Sequence, residues 1–374
     1  MPRPRRILSV VGTRPNFMKV APIAAELARR RVEFDHVLVH TGQHYDDSMS
    51  RIFLEELGVG EPDHLLEVGS GSHTQQTARV MERLEPVLLH EQPDLVLVPG
   101  DVNSTMAAAL VAVKLGLPVG HIEAGLRSFD RTMPEEINRV VADSVSELLF
   151  IHSPEARANL LAEGVEPGRI HDVGNTMIDT LVAMRPRIDA LGAAAAHGFE
   201  PGRYLVVTLH RPALVDGALL ADALLALAKV AEALTVVFPA HPRTRTAMDA
   251  LGLGALGERL HVVEPLGYLE FLSLLADSAG ALTDSGGIQE ETTYLGIPCF
   301  TLRDNTERPI TVEMGTNTLL GLAPERIAEV PALIEQGAGR AARVPPLWEG
   351  HAAARIADVL AGARLDVAAV AGAA

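Results

Sequence analysis

Short apolar runs alternate with helix-spaced stretches from the start of the chain. The run RILSVVG precedes the helix-spaced stretch NFMKVAPIAAELARR, and the later apolar runs are FDHVLVHTG, PDLVLVPGD, LPVGHIEAG and ELLFIHS. Strands that are apolar at consecutive positions, rather than at every second position, are typical of sheets buried on both faces. The pattern therefore predicts a parallel sheet with helices packed on both sides.

The same pattern restarts in the second half of the chain, where the predicted strands are RYLVVTLH, LTVVFPAH, RLHVVEP, AGALTDSG and IPCFTLR. We therefore expect an α/β fold of two doubly wound, Rossmann-like domains facing a central cleft. Such sheets bind ligands at the carboxyl ends of their strands, so the cleft is the expected ligand site. The predicted domains are residues 1–174 and 175–351, with a last helix over 352–364 that packs back on the first domain. The alanine-rich segment 191–202 is predicted to be a surface connection.

Composition narrows the class of protein. The chain has 32 basic and 48 acidic residues, a formal charge of −16, which argues against binding to nucleic acid or to an anionic membrane surface. Hydrophobic residues make up 48% of the chain but aromatic residues only 4%, so aliphatic side chains must build the cores. The first apolar run is too short for a secretion signal and no run approaches a membrane span, so we expect a cytoplasmic protein. The single cysteine, Cys299, excludes an intramolecular disulfide and is predicted to be buried.

Polar residues cluster where the predicted strands end. The clusters are GTRP at 12–15, GQHY at 42–45, GDVNST at 100–105, HIEAG at 121–125, HR at 210–211, HPR at 241–243 and DSGG at 284–287. The carboxyl ends of parallel strands meet at one edge of a sheet. Packing of the protein core does not account well for so many polar clusters at that edge. This edge is the predicted ligand site in each domain.

The segment ALTDSGGIQEETT ends a strand with a glycine pair and continues with two carboxylates. Ser285, Gly286 and Gly287 are predicted to turn into a helix that begins near Ile288. Bare N–H groups and the helix dipole favour a phosphate at such a turn. Glu291 follows one helical turn later, where its carboxylate can accept hydrogen bonds from both hydroxyls of a ribose. The alternative is a glycine turn followed by acids that the helix dipole favours.

Carboxylates and a histidine supply the candidate proton-transfer groups. Asp101 and Glu123 directly follow buried strands, where partial loss of water is expected to raise their pKa and suit them to proton transfer. Glu135 starts a helix after Pro134 and His210 ends a strand, although each position is also compatible with a structural role. The sequence has no P-loop, dinucleotide-binding, zinc or G-x-S-x-G motif, so neither a metal nor a redox cofactor is expected.

Taken together, the motifs resemble those of the non-hydrolysing UDP-N-acetylglucosamine 2-epimerases. The matching stretches, in the family's order, are GTRPNFMKVAP, HTGQHYDDSMS, PGDVNST, GHIEAGLRSFDRTMPEEINR, VGNTMIDT, TLHRP, PAHPRT, LTDSGGIQEE and RDNTERP. The resemblance covers about residues 7–351 and implies a fold like that of the B-type glycosyltransferases, a homodimer and no cofactor. It implies interconversion of UDP-N-acetylglucosamine and UDP-N-acetylmannosamine for a cell-surface polysaccharide. The implied route is elimination of UDP to an enzyme-bound 2-acetamidoglucal, followed by re-addition of UDP.

The resemblance also implies roles for individual residues. The family's catalytic groups match Asp101, Glu123, Glu135 and His210. Its UDP contacts match Arg14, Lys19, Ser285, Gly286, Gly287, Glu291 and Arg308, with Phe271 beside the uracil and Leu266 adding a backbone contact. A regulatory site for a second UDP-N-acetylglucosamine, present in some bacterial members, matches Gln43, Glu136, Arg211 and His241.

Two departures from the family leave specific contacts open. Asp46 stands where the regulated members carry glutamine. The segment Pro212-Ala213-Leu214 lacks the asparagine that many members use for a polar contact.

Other functions also stay open at this point. An epimerase for a related UDP-sugar, such as a diacetamido-uronate, or a hydrolysing relative would share these motifs. A B-type glycosyltransferase would use the same cleft but would need an acceptor. A sugar-nucleotide binding protein without activity is disfavoured, because four proton-transfer groups exceed what binding requires.

Overall fold

The computed structural model describes residues 3–42, 56–215, 219–240, 242–254, 256–339 and 341–365, with the backbone alone for Pro212 and Ala213. Gln43, Asp46 and His241 lie outside the described residues. The chain divides into two compact units. Unit 1 comprises Met1–Ala183 and Pro346–Ala374, and unit 2 comprises Met184–Pro345.

The described elements follow one another in a strand-and-helix alternation. The strands are β1 (Arg5–Val11), β2 (Phe34–His40), β3 (His64–Leu65), β4 (Leu95–Pro99), β5 (Val119–Ile122), β6 (Leu148–Ile151), β7 (Ile170–Asp172), β8 (Tyr204–Thr208), β9 (Thr235–Pro239), β10 (Val262–Val263), β11 (Gly280–Thr283), β12 (Cys299–Thr301) and β13 (Asn317–Leu319). The α-helices are α1 (Arg14–Arg29), α2 (His73–Glu91), α3 (Asn103–Lys114), α4 (Pro134–Val145), α5 (Pro154–Ala162), α6 (Thr176–Leu191), α7 (Ala193–Ala196), α8 (Pro212–Val215), α9 (Leu219–Val230), α10 (Pro242–Ala250), α11 (Leu256–Arg259), α12 (Tyr268–Ala276), α13 (Gly286–Leu295), α14 (Ile310–Glu313), α15 (Val330–Glu335) and α16 (Ala352–Gly362). Short 3-10 helices cover Pro167–Arg169 and Pro324–Glu329.

The described part of unit 1 contains a parallel sheet of seven strands in the order β3-β2-β1-β4-β5-β6-β7. The interior strand β1 shows why its apolar residues are consecutive. Ile7 points into a core with Ile23 of α1 and Ile356 of α16, whereas Leu8 points to the other face and packs with Leu84 of α2. Successive side chains of a strand alternate between faces, so a sheet covered on both sides needs apolar residues at every position.

The helix α16 belongs to the core of unit 1, where it packs with α1. Its amino end is capped by Asp179 of α6, whose carboxylate accepts the N–H groups of Ala352 at 3.0 Å and Ala353 at 2.7 Å. Burial raises the pKa of Asp179, and the two N–H groups partly oppose this effect. The indole N–H of Trp348 donates to the His152 carbonyl at 2.9 Å. These contacts hold the C-terminal segment on unit 1.

Among the residues of unit 2 that the structure describes, six strands form a parallel sheet in the order β10-β9-β8-β11-β12-β13. In the middle of this sheet, Leu205 of β8 pairs with Val236 on one side and Gly280 on the other. The core is dominated by aliphatic side chains such as Val207 and Leu282. The two doubly wound parallel sheets confirm the predicted α/β fold class, that of B-type glycosyltransferases.

Some local predictions differ from the structure. The helix α13 begins at Gly286 rather than near Ile288, with Ser285 in the N-cap position. The strands β3, β7 and β13 are not among the predicted ones. They have two, three and three residues, which is too short to stand out as an apolar run.

The prediction of a surface connection over 191–202 is wrong in part. This segment contains α7, in which Ala193 and Ala194 are buried. The Ala193 N–H donates to the Ser273 hydroxyl on α12 at 3.2 Å. The methyl side chains of alanine allow this close approach, and composition alone does not reveal it.

Two further predictions concern the single cysteine and membrane-spanning segments. Cys299 is buried, as predicted, and burial raises the pKa of its thiol to about 11. Among the described helices, none combines the length and the apolar character needed to cross a membrane.

Candidate functional site

The carboxyl ends of β1, β4 and β5 carry the predicted groups of unit 1. Gly12 follows β1, Asp101 lies just beyond β4 and Glu123 follows β5. The packing is tight here, because a Cβ atom on Gly12 would lie 2.5 Å from the Ser104 hydroxyl oxygen. Glu123 has a φ of 69°, in the left-handed region that costs a non-glycine residue about 1–2 kcal/mol. Its surroundings therefore impose the position of this carboxylate.

Glu123 forms a buried ion pair with Lys19 of α1. Its second oxygen lies 4.0 Å from Nε2 of His152, which follows β6. These three side chains and Asn175 line a cavity of about 10 Å³, roughly the space of one water molecule. The structure thus brings together two predicted residues, Lys19 and Glu123, and adds His152, which sequence reasoning missed.

Asp101 is held by a different cation. Its carboxylate accepts a hydrogen bond from Arg139 of α4 at 2.5 Å, and its side chain is 28% exposed while that of Arg139 is 2% exposed. The same guanidinium donates to Glu136 at 2.7 Å. Arg139 was not predicted, although it lies in the quoted stretch PEEINR. The (i, i+3) spacing from Glu136 was the available signal.

The carboxylate of Glu136 is held by hydrogen bonds from residues close to it in the sequence. Its carboxylate accepts the backbone N–H groups of Ser128 at 3.0 Å and Phe129 at 2.9 Å, besides the contact to Arg139. Burial alone would raise the pKa of Glu136, but the hydrogen bonds from Ser128 and Arg139 hold it below its usual value. The carboxylate anchors the middle of the loop between β5 and α4.

A buried charge network lies beneath these strand ends. One ring nitrogen of His121 in β5 lies 2.6 Å from Asp143, and the other donates to the Gly100 carbonyl at 2.7 Å. The guanidinium of Arg127 lies 2.7 Å from the other oxygen of Asp143. Burial alone would raise the pKa of Asp143, but His121 and Arg127 keep it below its usual value. The network positions the backbone just before Asp101.

Arg14 and Glu135, two further predicted residues of unit 1, lie at helix starts and are half-buried. Arg14 is the first residue of α1, and Glu135 is the second residue of α4. The turn before Arg14 is held by Asn16, whose side-chain oxygen accepts the N–H groups of Gly12 at 3.0 Å and Thr13 at 3.2 Å. The position of Arg14 therefore follows from the local hydrogen bonds of the turn.

In unit 2, His210 stands beside Asp284 at the ends of β8 and β11. Nδ1 of His210 lies 2.9 Å from the Asp284 carboxylate, which also accepts the backbone N–H groups of His210 and Arg211, each at 2.8 Å. Burial alone would raise the pKa of Asp284, but His210 and these N–H groups hold it below its usual value. The imidazole itself is 49% exposed, so its Nε2 side can meet a ligand. Asp284 was quoted in the DSGG cluster but not predicted as a site residue.

The amino end of α13 lies next to the guanidinium group of Arg308. Ser285 is the N-cap, Gly286 is the first helical residue and Gly287 is the second. A Cβ atom on Gly286 would lie 2.4 Å from a guanidinium nitrogen of Arg308, so only glycine leaves room for this cation. The positive end of the helix dipole and the guanidinium together favour an anion at this turn.

Two buried carboxylates hold Arg308. Its Nε lies 3.0 Å from Glu290, and another nitrogen donates to Glu307 at 2.5 Å. Glu307 also accepts from Arg303 at 2.7 Å. Burial alone would raise the pKa of Glu307, but Arg308 and Arg303 hold it far below its usual value. These carboxylates, which sequence reasoning missed, orient the guanidinium.

Glu291 of α13 is buried, with an exposed fraction of 4%. Burial raises the pKa of Glu291 to about 8, the nearby Tyr268 hydroxyl opposes this effect, and the neighbouring Glu290 adds to it. Leu266 and Phe271 are half-buried, before and within α12, the helix that begins at Tyr268. The predicted nucleoside contacts are thus carried by α12, α13 and the segment before α12.

A wider groove of about 750 Å³ lies elsewhere in unit 2. It is lined by residues that include Tyr204, Thr235 and Val262, which are the first residues of β8, β9 and β10. This is the amino edge of the sheet, opposite the edge that carries His210 and Asp284. None of the predicted site residues lines it.

Comparison with known proteins identifies one family. The family model described as UDP-N-acetylglucosamine 2-epimerase matches residues 25–361. A UDP-N-acetylglucosamine 2-epimerase from Methanococcus maripaludis is 42% identical over 327 residues, covering 85% of this chain and 88% of the relative. A UDP-2,3-diacetamido-2,3-dideoxy-D-glucuronate 2-epimerase from Pseudomonas aeruginosa is also 42% identical, over 335 residues that cover 87% of this chain and 90% of the relative. The crystal structure of Methanocaldococcus jannaschii UDP-GlcNAc 2-epimerase in complex with UDP-GlcNAc and UDP has a TM-score of 0.86 at 39% identity, covering 95% of this chain and 99% of that chain.

Proposed function

The chain belongs to the UDP-N-acetylglucosamine 2-epimerase family, and we propose that it interconverts UDP-N-acetylglucosamine and UDP-N-acetylmannosamine. The observation that carries the proposal is the family match over residues 25–361, which includes the strand-end groups Asp101, Glu123 and His210. The structural neighbour from Methanocaldococcus jannaschii, crystallised with UDP-GlcNAc and UDP, supports the same ligands here.

The chemistry we propose is elimination of UDP and its re-addition. A base removes the proton from C2 of the sugar, the bond from C1 to the diphosphate oxygen breaks, and UDP leaves with the bonding electron pair. The product is a 2-acetamidoglucal with a double bond between C1 and C2. UDP then adds back at C1 while an acid delivers a proton to the opposite face of C2, so that atoms and charges balance.

Acidic side chains carry the proton transfers in this scheme. The proton on C2 is weakly acidic because no carbonyl group is attached to that carbon, so a positioned base is required. We propose Asp101, Glu123 and Glu135 as the acid and base groups. The ion pair of Glu123 with Lys19 and that of Asp101 with Arg139 support this assignment, because each holds a carboxylate in one orientation at a strand end.

Stabilisation of the departing UDP is the second requirement. Charge develops on the diphosphate as the C1–O bond breaks, and preorganised donors lower the barrier most where charge develops. We propose that Arg308, His210 and the amino end of α13 meet this charge, with Arg14 and Lys19 as further cations. The contact of Arg308 with Gly286 and the orientation of His210 by Asp284 support the proposal.

Recognition of the nucleoside is assigned to α12 and α13. We propose that Glu291 accepts the ribose hydroxyls, that Phe271 lies beside the uracil and that Leu266 adds a backbone contact. The Ser285–Gly287 turn holds phosphate oxygens through the N–H groups of Gly286 and Gly287, since the N–H of Ser285 donates to the Thr283 hydroxyl. The buried position of Glu291 one turn after the glycine pair supports the ribose assignment.

Regulation and context follow from the resemblance alone. We propose that Gln43, Glu136, Arg211 and His241 form a site for a second UDP-N-acetylglucosamine. Glu136 is occupied by Ser128, Phe129 and Arg139, so this site would require it to exchange partners. We also propose that the product supplies a cell-surface polysaccharide.

A second candidate substrate is a UDP-diacetamido-glucuronate. The Pseudomonas aeruginosa relative named for that sugar is 42% identical, as is the Methanococcus maripaludis relative named for UDP-N-acetylglucosamine. Elimination across C1 and C2 is the same for both sugars, so the two candidates differ only in groups at C3 and C6.

Solvent isotope incorporation tests both candidates. Purified protein is incubated in deuterated water with UDP-N-acetylglucosamine alone, and with the UDP-diacetamido-glucuronate alone, while NMR follows the C2 hydrogen. We expect deuterium at C2 and formation of the mannose-configured product with UDP-N-acetylglucosamine. Exchange with only the second sugar would support the second candidate, and no exchange with either sugar would refute the proposed function.

A further inference from the structure

We propose that Arg139 is a positioning residue for epimerisation, because its guanidinium group holds the Asp101 carboxylate in the orientation that proton transfer at C2 requires. The inference rests on the proposed function, in which Asp101 is one of the acid and base groups. In this scheme Arg139 acts through Asp101 rather than on the sugar. Neither the motifs nor the family match assigns a role to this arginine.

The guanidinium group of Arg139 divides its donors between two carboxylates. Nη1 donates to Oδ2 of Asp101 at 2.5 Å, whereas Nε and Nη2 both donate to Oε2 of Glu136, at 3.1 Å and 2.7 Å. A guanidinium group is planar, and its five N–H donors point in fixed directions. Because Glu136 binds two of these nitrogens, it fixes the plane of the group, and the direction from Nη1 to Asp101 is fixed with it.

Glu136 is itself held by the loop that precedes α4. Its Oε2 accepts the Ser128 N–H at 3.0 Å and the Ser128 hydroxyl at 3.1 Å, and its Oε1 accepts the Phe129 N–H at 2.9 Å. The side chains of Glu136 and Arg139 are 3% and 2% exposed, so water competes little for these bonds. The position of the guanidinium group is therefore set by the fold.

The backbone of Asp101 is held independently of Arg139. The side-chain amide of Asn138, also on α4, donates to the Asp101 carbonyl at 2.8 Å. The preceding carbonyl, that of Gly100, accepts a hydrogen bond from the His121 ring at 2.7 Å. The main freedom left to Asp101 is thus rotation of its side chain, and the bond from Arg139 restricts that rotation.

The orientation of Asp101 matters for the reaction because its side chain is 28% exposed. A carboxylate that water reaches can occupy several rotamers, whereas transfer of the C2 proton requires one oxygen close to that carbon. Misplacement of a reacting group by about 1 Å can lower a rate about 10²-fold. Since the bond from Arg139 occupies Oδ2, we assign the proton transfer to Oδ1 of Asp101.

Arg139→Lys tests the inference, because lysine keeps the positive charge but lacks the planar fork that spans Glu136 and Asp101. We expect kcat for epimerisation to fall about 10²-fold, while the Kd for UDP changes by about twofold at most. The matched control is Arg157→Lys, which replaces another arginine of unit 1 that donates to a carboxylate, that of Asp172 at 2.5 Å. The control should keep wild-type kcat, since exposed ion pairs contribute little.

A double-mutant cycle with Asp101→Asn separates positioning from a purely structural role. If Arg139 acts through Asp101, Arg139→Lys should lower kcat in the wild-type background and change it by about twofold at most in the Asp101→Asn background. Equal losses in the two backgrounds would overturn the inference. An unchanged kcat in Arg139→Lys, or a loss of UDP affinity as large as the loss of kcat, would overturn it as well.

Ser128→Ala is a milder variant for the case in which Arg139→Lys does not fold. It removes a hydroxyl group that donates to Glu136 at 3.1 Å and accepts from Arg139 at 3.4 Å. We expect kcat to fall about two- to tenfold, the range for one hydrogen bond, with no further loss in the Asp101→Asn background. An unchanged kcat in the wild-type background, or an equal loss in both backgrounds, would overturn the inference.

Deuterium exchange at C2 in the wild type keeps the inference distinct from the proposed function. Absence of exchange with either candidate sugar would refute the proposed function. Exchange in the wild type together with any of the contrary results for Arg139→Lys or Ser128→Ala would overturn the inference alone. Wild-type turnover in Asp101→Asn would overturn it too, because Arg139 would then have no catalytic group to position.

Discussion

Asp101 and Glu123 are both strand-end carboxylates, but water reaches them to different extents. The Glu123 side chain is 7% exposed and pairs with Lys19, whereas that of Asp101 is 28% exposed and pairs with Arg139. Each carboxylate is oriented by one buried cation. The side chain of Asp101 is therefore accessible to a ligand from solvent without a rearrangement of the protein. For this reason Asp101 is the better of the two carboxylates to test by substitution.

Asp101→Asn should reduce turnover at least ~10²-fold, the scale expected when an acid or base group is lost. The amide oxygen can still accept the hydrogen bond from Arg139, so the fold and UDP affinity should be retained. Initial rates of epimerisation and a UDP titration measure the two effects separately.

The matched control for this substitution is Asp189→Asn, which removes a surface carboxylate paired with Arg185 within α6. We expect the control to keep wild-type turnover, since exposed ion pairs contribute little. Near-normal turnover in Asp101→Asn would remove Asp101 from the catalytic group.

At the scale of elements, α13 and α16 begin in different ways. The first N–H groups of α16 are satisfied by the Asp179 carboxylate, whereas no side-chain cap is formed at Ser285 within the described part of α13. A helix needs partners for its first N–H groups, which a side chain, water or a ligand can supply. The start of α13 is thus suited to an anionic ligand, and that of α16 is structural.

Asp179→Ala should lower the free energy of unfolding by about 1–2 kcal/mol, the usual cost of losing a helix cap. The substitution removes the acceptor for Ala352 and Ala353, so α16 should loosen on unit 1. Chemical denaturation measures the loss. Asp179→Asn keeps one acceptor oxygen and should be destabilised less. Equal stability of Asp179→Ala and wild type would show that the cap contributes nothing.

At the scale of the whole molecule, the charge of the chain opposes the charge of its proposed substrate. The protein carries a formal charge of −16, and a UDP-sugar is an anion. Binding must therefore depend on local fields, such as those of Arg308 and the amino end of α13, rather than on long-range attraction. High salt should accordingly have a modest effect on the association with UDP.

We predict that the protein is a homodimer, as the resemblance to the family implies. Sedimentation equilibrium should give twice the 39.9 kDa mass of one chain. The same mass should be found across a range of concentrations, since an obligate dimer does not dissociate on dilution. A single-chain mass at micromolar protein would contradict the prediction.

The sequence by itself determined the elements and the fold class. Consecutive apolar residues required a sheet buried on both faces, and the positions of glycine, proline and short polar residues marked where strands end and helices start. These signals lie within short segments of the sequence, so they can be recognised without the tertiary structure. These local signals do not reveal short strands such as β13 or the buried helix α7. Such elements are stabilised by contacts with other parts of the fold rather than by their own residues.

Only the tertiary structure decided which side chains act together. Lys19 meets Glu123, 104 positions later, because β1 lies next to β4 and β4 next to β5 in the sheet. His210 meets Asp284, 74 positions later, because β8 lies next to β11. The partners of a buried charge depend on strand order, and strand order arises from packing across the whole unit rather than from any local pattern.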